Sequence, residues 1–187
     1  MREPYTSERF SINDRKGYLR IFGKESINSV IEQAIICRRQ TAMTFEAKTI
    51  LSFEPTNFGH MAGLIYKYND ANQYYFYMTY DEKKNKKVLS AMGVNRGEYK
   101  LLEVDKQPVI DSEEVYLKLT VEKEKGQFLY SIDGKEYIPV GDVFDTTVCS
   151  DENAWGFTGT MVGIACQDLN MHTHYADFKM FEYEDKE

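Results

Sequence analysis

The sequence has 187 residues, 42% of them hydrophobic and 14% aromatic, with a formal net charge of −7. That length suits a single all-β domain with a sizeable core, and that composition excludes a disordered chain. The acidic balance excludes a basic nucleic-acid face, and no apolar stretch approaches the ~18 residues that a membrane-crossing helix needs.

No N-terminal run joins a basic flank, an apolar core and a small-residue cleavage site, so no signal peptide is expected and a cytoplasmic location is predicted. Residues 1–15 read as a lead, which suits a domain cut at its linker and equally a small gene for one sandwich. Tyr18 to Phe22 is the first predicted strand, and Ser26 to Ile35 the one helix candidate. Phe45, Ala47, Thr49, Leu51 and Phe53 then alternate with Glu46, Lys48 and Ser52, the period of a strand with one wet face. Met61 to Tyr68, Tyr74 to Tyr80 and Val88 to Val94 follow, separated by turns at 69–72 and 81–85. The lysines at 83, 84, 86 and 87 fall beside that second turn and read as a solvated loop.

Val115 to Val121 alternates cleanly, and Phe128 to Ile132 repeats the pattern after a polar turn ending at Gly126. Asp133-Gly134 is a strong hairpin signal, so a meander is expected over 115–137. Met161 to Asp168 and Ala176 to Tyr183 complete a set of about ten short strands, the signature of a sandwich or barrel. The acidic segment 182–187 is expected to fray. The prediction is an all-β, two-sheet antiparallel jelly-roll sandwich over 16–184, with a tail at 185–187.

Catalytic signals are sparse. Glycoside cleavage needs two carboxyl groups ~5–9.5 Å apart, and no predicted strand carries such a pair on one face. Asp111-Ser112-Glu113-Glu114 and Asp151-Glu152-Asn153 read as solubilising loops. No Gly-x-Ser-x-Gly occurs, and Cys37, Cys149 and Cys166 are too irregular for a disulfide framework or a zinc site. Cys37 and Cys166 read as small buried hydrophobes. His172 and His174 stand two apart, a spacing that suits a metal or a polar surface loop, and His60 enters a strand with no evident partner. Aromatics are the other route to function. Rings fall on both faces of the strand from Tyr74 to Tyr80, with Tyr66 and Tyr68 across from it. Half of them belong to the core, and Tyr66, Tyr75 and Tyr77 are the sugar- or domain-contact candidates.

An ordered series of segments carries a family resemblance. It runs from Gly17-Tyr18-Leu19-Arg20-Ile21-Phe22-Gly23 through Cys37-Arg38-Arg39-Gln40, Met61-Ala62-Gly63-Leu64 and Tyr130-Ser131-Ile132-Asp133-Gly134-Lys135. It ends with Gly156-Phe157-Thr158-Gly159-Thr160-Met161-Val162-Gly163, Cys166-Gln167-Asp168 and Ala176-Asp177-Phe178. In these segments the chain resembles the C-terminal concanavalin A-like domain of family-43 glycoside hydrolases, the β-xylosidase and α-arabinofuranosidase group.

The resemblance implies an accessory domain that packs on a catalytic five-bladed propeller and sends one loop to a pocket for a xylo-oligosaccharide or related glycan. On that loop it implies Phe157, with Trp155 and Thr158 beside it. The flanking glycines allow a close backbone approach, although packing of both rings on the sandwich edge fits equally. Phe10 stands where relatives carry a tryptophan near the chain start. A structural Ca²⁺, with Asp177 as its candidate ligand, is the one cofactor the fold suggests; otherwise none is expected. A free-standing carbohydrate-binding module is the alternative. For an accessory domain without its propeller, an exposed apolar and aromatic propeller-facing patch is expected, and with it self-association into a homo-oligomer.

Overall fold

The computed structural model describes residues 6–102 and 106–186. Its strands are β1 (Phe10–Ser11), β2 (Leu19–Phe22), β3 (Ala34–Arg39), β4 (Thr44–Ser52), β5 (His60–Asn69), β6 (Asn72–Asp81) and β7 (Lys86–Asn95). They continue as β8 (Glu98–Leu101), β9 (Glu114–Glu122), β10 (Lys125–Ser131), β11 (Ile138–Asp145), β12 (Met161–Asp168) and β13 (Tyr175–Asp185). Two antiparallel sheets result, ordered β1-β2-β13-β4-β9-β10-β11 and β3-β12-β5-β6-β7-β8.

Period-two patterning explains the inner faces. Phe45, Ala47 and Leu51 of β4 and Val115, Leu117, Leu119 and Val121 of β9 point inward and are buried. They meet Leu64 and Tyr66 of β5, Phe76 and Met78 of β6 and Val162 and Ile164 of β12 in one core. A pile of rings ties the two sheets together. Tyr74 stacks on Phe144 at 4.1 Å, Phe144 lies 4.9 Å from Phe128, and Phe128 stacks on Phe76 at 5.1 Å. Each such contact is worth about 1 kcal/mol beyond the area it buries.

The six-stranded sheet is unusual in burying part of its outer face as well. Ile27, Ile65, Tyr75, Tyr77 and Ala165 form a second buried cluster there, with Ile35, Cys37, Met61 and Met92 packed on it. Its lid is the segment 26–33, where a helix was expected and none forms. Gln33 Nε2 donates to the carbonyl of Ile27 at 2.7 Å and to that of Ser29. Those are carbonyls a helix would need for its own ladder. The β-branched pair Val30-Ile31 adds little helix propensity, and burial of Ile27 against Tyr75 and Tyr77 favours the irregular turn.

Other departures have local causes. Phe10 lies in β1, within the stretch expected as a lead, and its ring is buried in the core. β13 continues to Asp185, because Glu184 and Asp185 still pair with Glu46 and Phe45 of β4. β9 and β10 turn at Lys123-Glu124, whereas 132–137 is a longer connection. There Asp133 Oδ1 accepts the N–H groups of Lys135 at 2.8 Å and Glu136 at 3.1 Å, an Asx-type turn in place of a two-residue hairpin.

Backbones approach closely at Gly63 in β5. A Cβ there would lie 2.0 Å from the carbonyl oxygen of Phe76. Backbone cannot yield as a flexible side chain can. Gly63→Ala is therefore expected to destabilise the fold by about 3 kcal/mol, measured as a lowered urea midpoint at unchanged m-value.

Candidate functional site

Beyond β11 the chain makes a 3-10 turn at Thr146–Cys149 and then a single helical turn at Asp151–Ala154. Asp145 Oδ1 caps the first by accepting the N–H of Thr147 at 2.9 Å, and Ser150 Oγ caps the second by accepting that of Asn153 at 3.3 Å. Trp155 ends the helical turn in the left-handed conformation, at φ 55°. Gly156, Phe157, Thr158 and Gly159 lead into Thr160, whose hydroxyl donates to the carbonyl of Cys149 at 2.5 Å. The loop is thus closed at its base by polar contacts. At its tip Phe157 is 99% exposed and Trp155 85% exposed. Neither ring packs on the sandwich edge.

Beside this loop runs a groove of about 610 Å³. Val30, Ile31 and Trp155 line it as exposed apolar side chains, and Ile35, Cys37 and Met161 add further apolar lining. Lys67 lies at its base, where Nζ donates to the carbonyl of Ile27 at 2.8 Å and pairs with Asp70. Burial holds the Lys67 amine below its ordinary range, against the opposing pull of Asp70. Asp70 also accepts from Gln33 Nε2 at 2.9 Å. This satisfied polar cluster fastens the turn that presents Val30 and Ile31.

The predicted tyrosines lie elsewhere. Tyr75 is fully buried on the outer face beneath Ile27 and donates to the carbonyl of Ala165 at 3.2 Å. Tyr77 is buried beside it, their rings stacked at 5.0 Å. Tyr66 is buried in the inner core and donates to Gln40 Oε1 at 2.8 Å. The expectation that these three rings offer a sugar or domain contact is corrected accordingly: the covering segment 26–33 and the opposite sheet occupy the space such a contact would need. Thr158 is exposed, and its N–H donates to Tyr68 Oη at 3.2 Å.

Asp177 does not fit a Ca²⁺ site. It is buried, and its carboxylate accepts from Arg20 Nε at 2.7 Å, Arg20 Nη2 at 2.9 Å and Arg15 Nη1 at 3.3 Å. Two guanidinium groups stand where the ion would require oxygen ligands. Among the described residues no group of three or more His, Cys, Asp or Glu side chains is placed to hold a metal. His172 and His174 do not converge on a shared site. His172 is exposed at φ 55°, whereas the ring of His174 stacks on His60 at 4.0 Å, with its Nε2 against the carbonyl of Glu54. Cys149 and Cys166 are buried thiols whose pKa values burial pushes up, and Cys37 is half-buried in the outer cluster.

Among the described residues the groove holds no second carboxyl group to make an acid–base pair. Asp70 is the one carboxylate among the described residues that line the groove, and it is ion-paired. Among the described residues, the carboxyl groups with displaced pKa values are Glu46, Asp81, Asp133 and Asp168, and all four are displaced downward. A general acid for glycoside cleavage needs the opposite displacement.

The fold and the loop together define the chain as a concanavalin-like sandwich domain that presents one aromatic loop beside a groove. The family model for the β-xylosidase C-terminal concanavalin A-like domain matches residues 1–184, and the chain belongs to that family. It is 33% identical to a β-xylosidase of Bacillus subtilis (strain 168) across 100% of this chain, which is 36% of that protein. It is 31% identical to a putative β-xylosidase of Escherichia coli (strain K12), over 98% of this chain and 35% of that one. A solved xylan β-1,4-xylosidase from Bacillus halodurans C-125 superposes with a TM-score of 0.93 at 36% identity, covering 99% of this chain and 36% of that chain. The chain thus spans about a third of the length of the relatives it matches.

The His60 cluster generates a pH prediction. The imidazole is buried, Nδ1 accepts the N–H of Thr56 at 3.2 Å, and Nε2 faces Asp168 Oδ1 at 3.4 Å. Burial, and then the neighbouring His174, hold its pKa below the ordinary 6.5, with Asp168 opposing. The folded state therefore takes up this proton less readily than the unfolded state. Its contribution to stability is intact above pH 6.5 and is lost as pH falls below that value. Asp168 is lowered from 3.8, so its own contribution fails only in stronger acid. The thermal midpoint is expected to drop between about pH 7 and about pH 5, a span that starts just above that ordinary histidine value and ends well below it, and His60→Gln to flatten that slope in a calorimetric series.

Proposed function

We propose that this chain is a non-catalytic accessory domain of a β-xylosidase-type glycoside hydrolase. In this reading it docks on a separate catalytic propeller and lends the 155–158 loop to the wall of a pocket for xylo-oligosaccharides. One observation carries the reading: two large aromatic rings stand in solvent on a loop that is itself held firmly. Covering such a ring recovers roughly 4 kcal/mol of hydrophobic free energy, so a partner surface that accepts both gains substantially. Val30 and Ile31, 85% and 78% exposed, line the groove together with Trp155 and add to its exposed apolar surface. The names of the relatives supply the substrate class, and their greater length leaves room for the catalytic partner.

The chain alone is expected to show no turnover of an aryl xyloside, and turnover comparable to a full-length family enzyme would sink the proposal. With a family catalytic domain supplied, activity is expected, and Phe157→Ala should raise KM about tenfold with a smaller change in kcat. That magnitude is what loss of one apolar wall contact costs.

A second reading, a free-standing glycan-binding module, is favoured by one feature. The sole tryptophan of the sequence, Trp155, lies at the groove beside polar Asn69 and Asp70. It predicts saturable quenching of Trp155 fluorescence by xylo-oligosaccharides at millimolar concentration or below. The accessory-domain reading predicts no response from the isolated chain across that range.

A further inference from the structure

The loop that carries Trp155 and Phe157 raises a physical question: its most apolar side chains are its most exposed, so hydrophobic burial cannot hold it in one conformation. What holds it must act on its backbone and its base. Tyr68, the penultimate residue of β5, does this with a single oxygen. Its ring is buried in the inner core, whereas Oη emerges at the end of the strand beneath the loop. The hydroxyl donates to Asp151 Oδ1 at 2.5 Å, at the start of the helical turn, and accepts the N–H of Thr158 at 3.2 Å, just beyond Phe157. One atom therefore joins the entry and the exit of the loop, with both exposed rings between the two joints. Gly156 completes the fit, because a Cβ there would meet Tyr68 Oη at 2.6 Å and ring carbon Cε1 at 2.9 Å.

We propose that Tyr68 is the positioning residue of the aromatic loop: its hydroxyl clamps Asp151 to the backbone of Thr158 and so fixes where Trp155 and Phe157 point. For its effect on catalysis the proposal rests on the reading of that loop as a pocket wall; for the structure of the loop it does not. Core packing needs only the ring at position 68. The hydroxyl is the part assigned a positioning role, and Tyr68→Phe removes it alone.

Two readouts follow the loop directly in the whole chain. Trp155 is the only tryptophan, so its fluorescence anisotropy reports this segment without labelling. Chymotrypsin cutting after Trp155 or Phe157 reports local opening, because cleavage tracks the open population. Tyr68→Phe is expected to lower the anisotropy and to raise cutting in the loop about tenfold, the effect of losing a hydrogen bond to a charged group, with cutting elsewhere unchanged. Asp151→Ala, at an exposed position that the core does not depend on, should reproduce the effect, and Asp151→Asn, which keeps an acceptor, should largely restore the parent behaviour. The Tyr68→Phe/Asp151→Ala double variant should be no looser than either single one. Unchanged anisotropy and cutting in Tyr68→Phe, or additive effects in the double variant, would overturn the clamp. With a catalytic domain supplied, Tyr68→Phe should raise KM more than it lowers kcat. A loosened loop with KM unmoved would overturn the pocket-wall reading while the clamp stands.

Discussion

Burial of the six-stranded sheet on both faces is the constraint on which the rest of this structure depends. In β6 every residue from Asn72 to Thr79 is buried, and β5 is nearly as enclosed. A sheet in that position cannot follow the simple rule of apolar inside and polar outside. Its inner side chains lock against the seven-stranded sheet through the Tyr74–Phe144–Phe128–Phe76 pile. Its outer side chains demand a cover, and the segment 26–33 supplies one by inserting Ile27. That cover in turn forms the wall of the groove, so the same packing requirement that completes the fold creates the feature next to the aromatic loop.

The cover is fastened by polar groups rather than by regular structure. Lys67, Asp70, Gln33, Gln73 and Asn28 satisfy one another and the free carbonyls of the turn, with Gln73 Nε2 donating to Asn28 Oδ1 and to the carbonyl of Asp70. A largely buried lysine is costly unless its donors are taken, and here all three find acceptors: the Ile27 carbonyl, Asp70 and Gln73. The network therefore specifies one position for the turn more than it adds net stability.

Much of this was legible in the sequence, and the limits follow from what period two can encode. Alternation in β4 and β9 identifies strands and their buried faces, because one face of each meets solvent or a lighter cover. It fails at β8, which is exposed along its length, and at β11, where Pro139, Gly141 and a register shift against β10 interrupt the pattern. It also says which side of a strand a residue faces, not what lies over that side. Tyr75 and Tyr77 are on the outer face as the pattern implies, yet they are sealed by Ile27, nearly fifty residues earlier in the chain. The exposure of Phe157 left two readings open because glycine-flanked aromatics fit a packed edge and a free tip equally. Tyr68 carried no signal of its own. It reads as one more core aromatic in its strand, and its hydroxyl acquires a role only through Asp151 and Thr158, 83 and 90 residues away.

The two ends of β5 show how differently a strand terminus can be finished. At the His60 end, Asp168 accepts the N–H groups of Asn170, Met171, Thr173 and His174, so the following loop folds back on a buried carboxylate. At the Tyr68 end, a hydroxyl holds the loop and the apolar side chains are turned outward. A loop anchored by burying its own rings would have no rings left to offer a partner. A loop left unanchored would offer them at the entropic cost of ordering side chains and backbone on contact, of the order of 1 kcal/mol for each immobilised side chain. Anchoring through Oη leaves the rings free and removes the backbone share of that cost: the backbone is ordered when the domain folds, and the exposed faces of Trp155 and Phe157 remain available beside the groove.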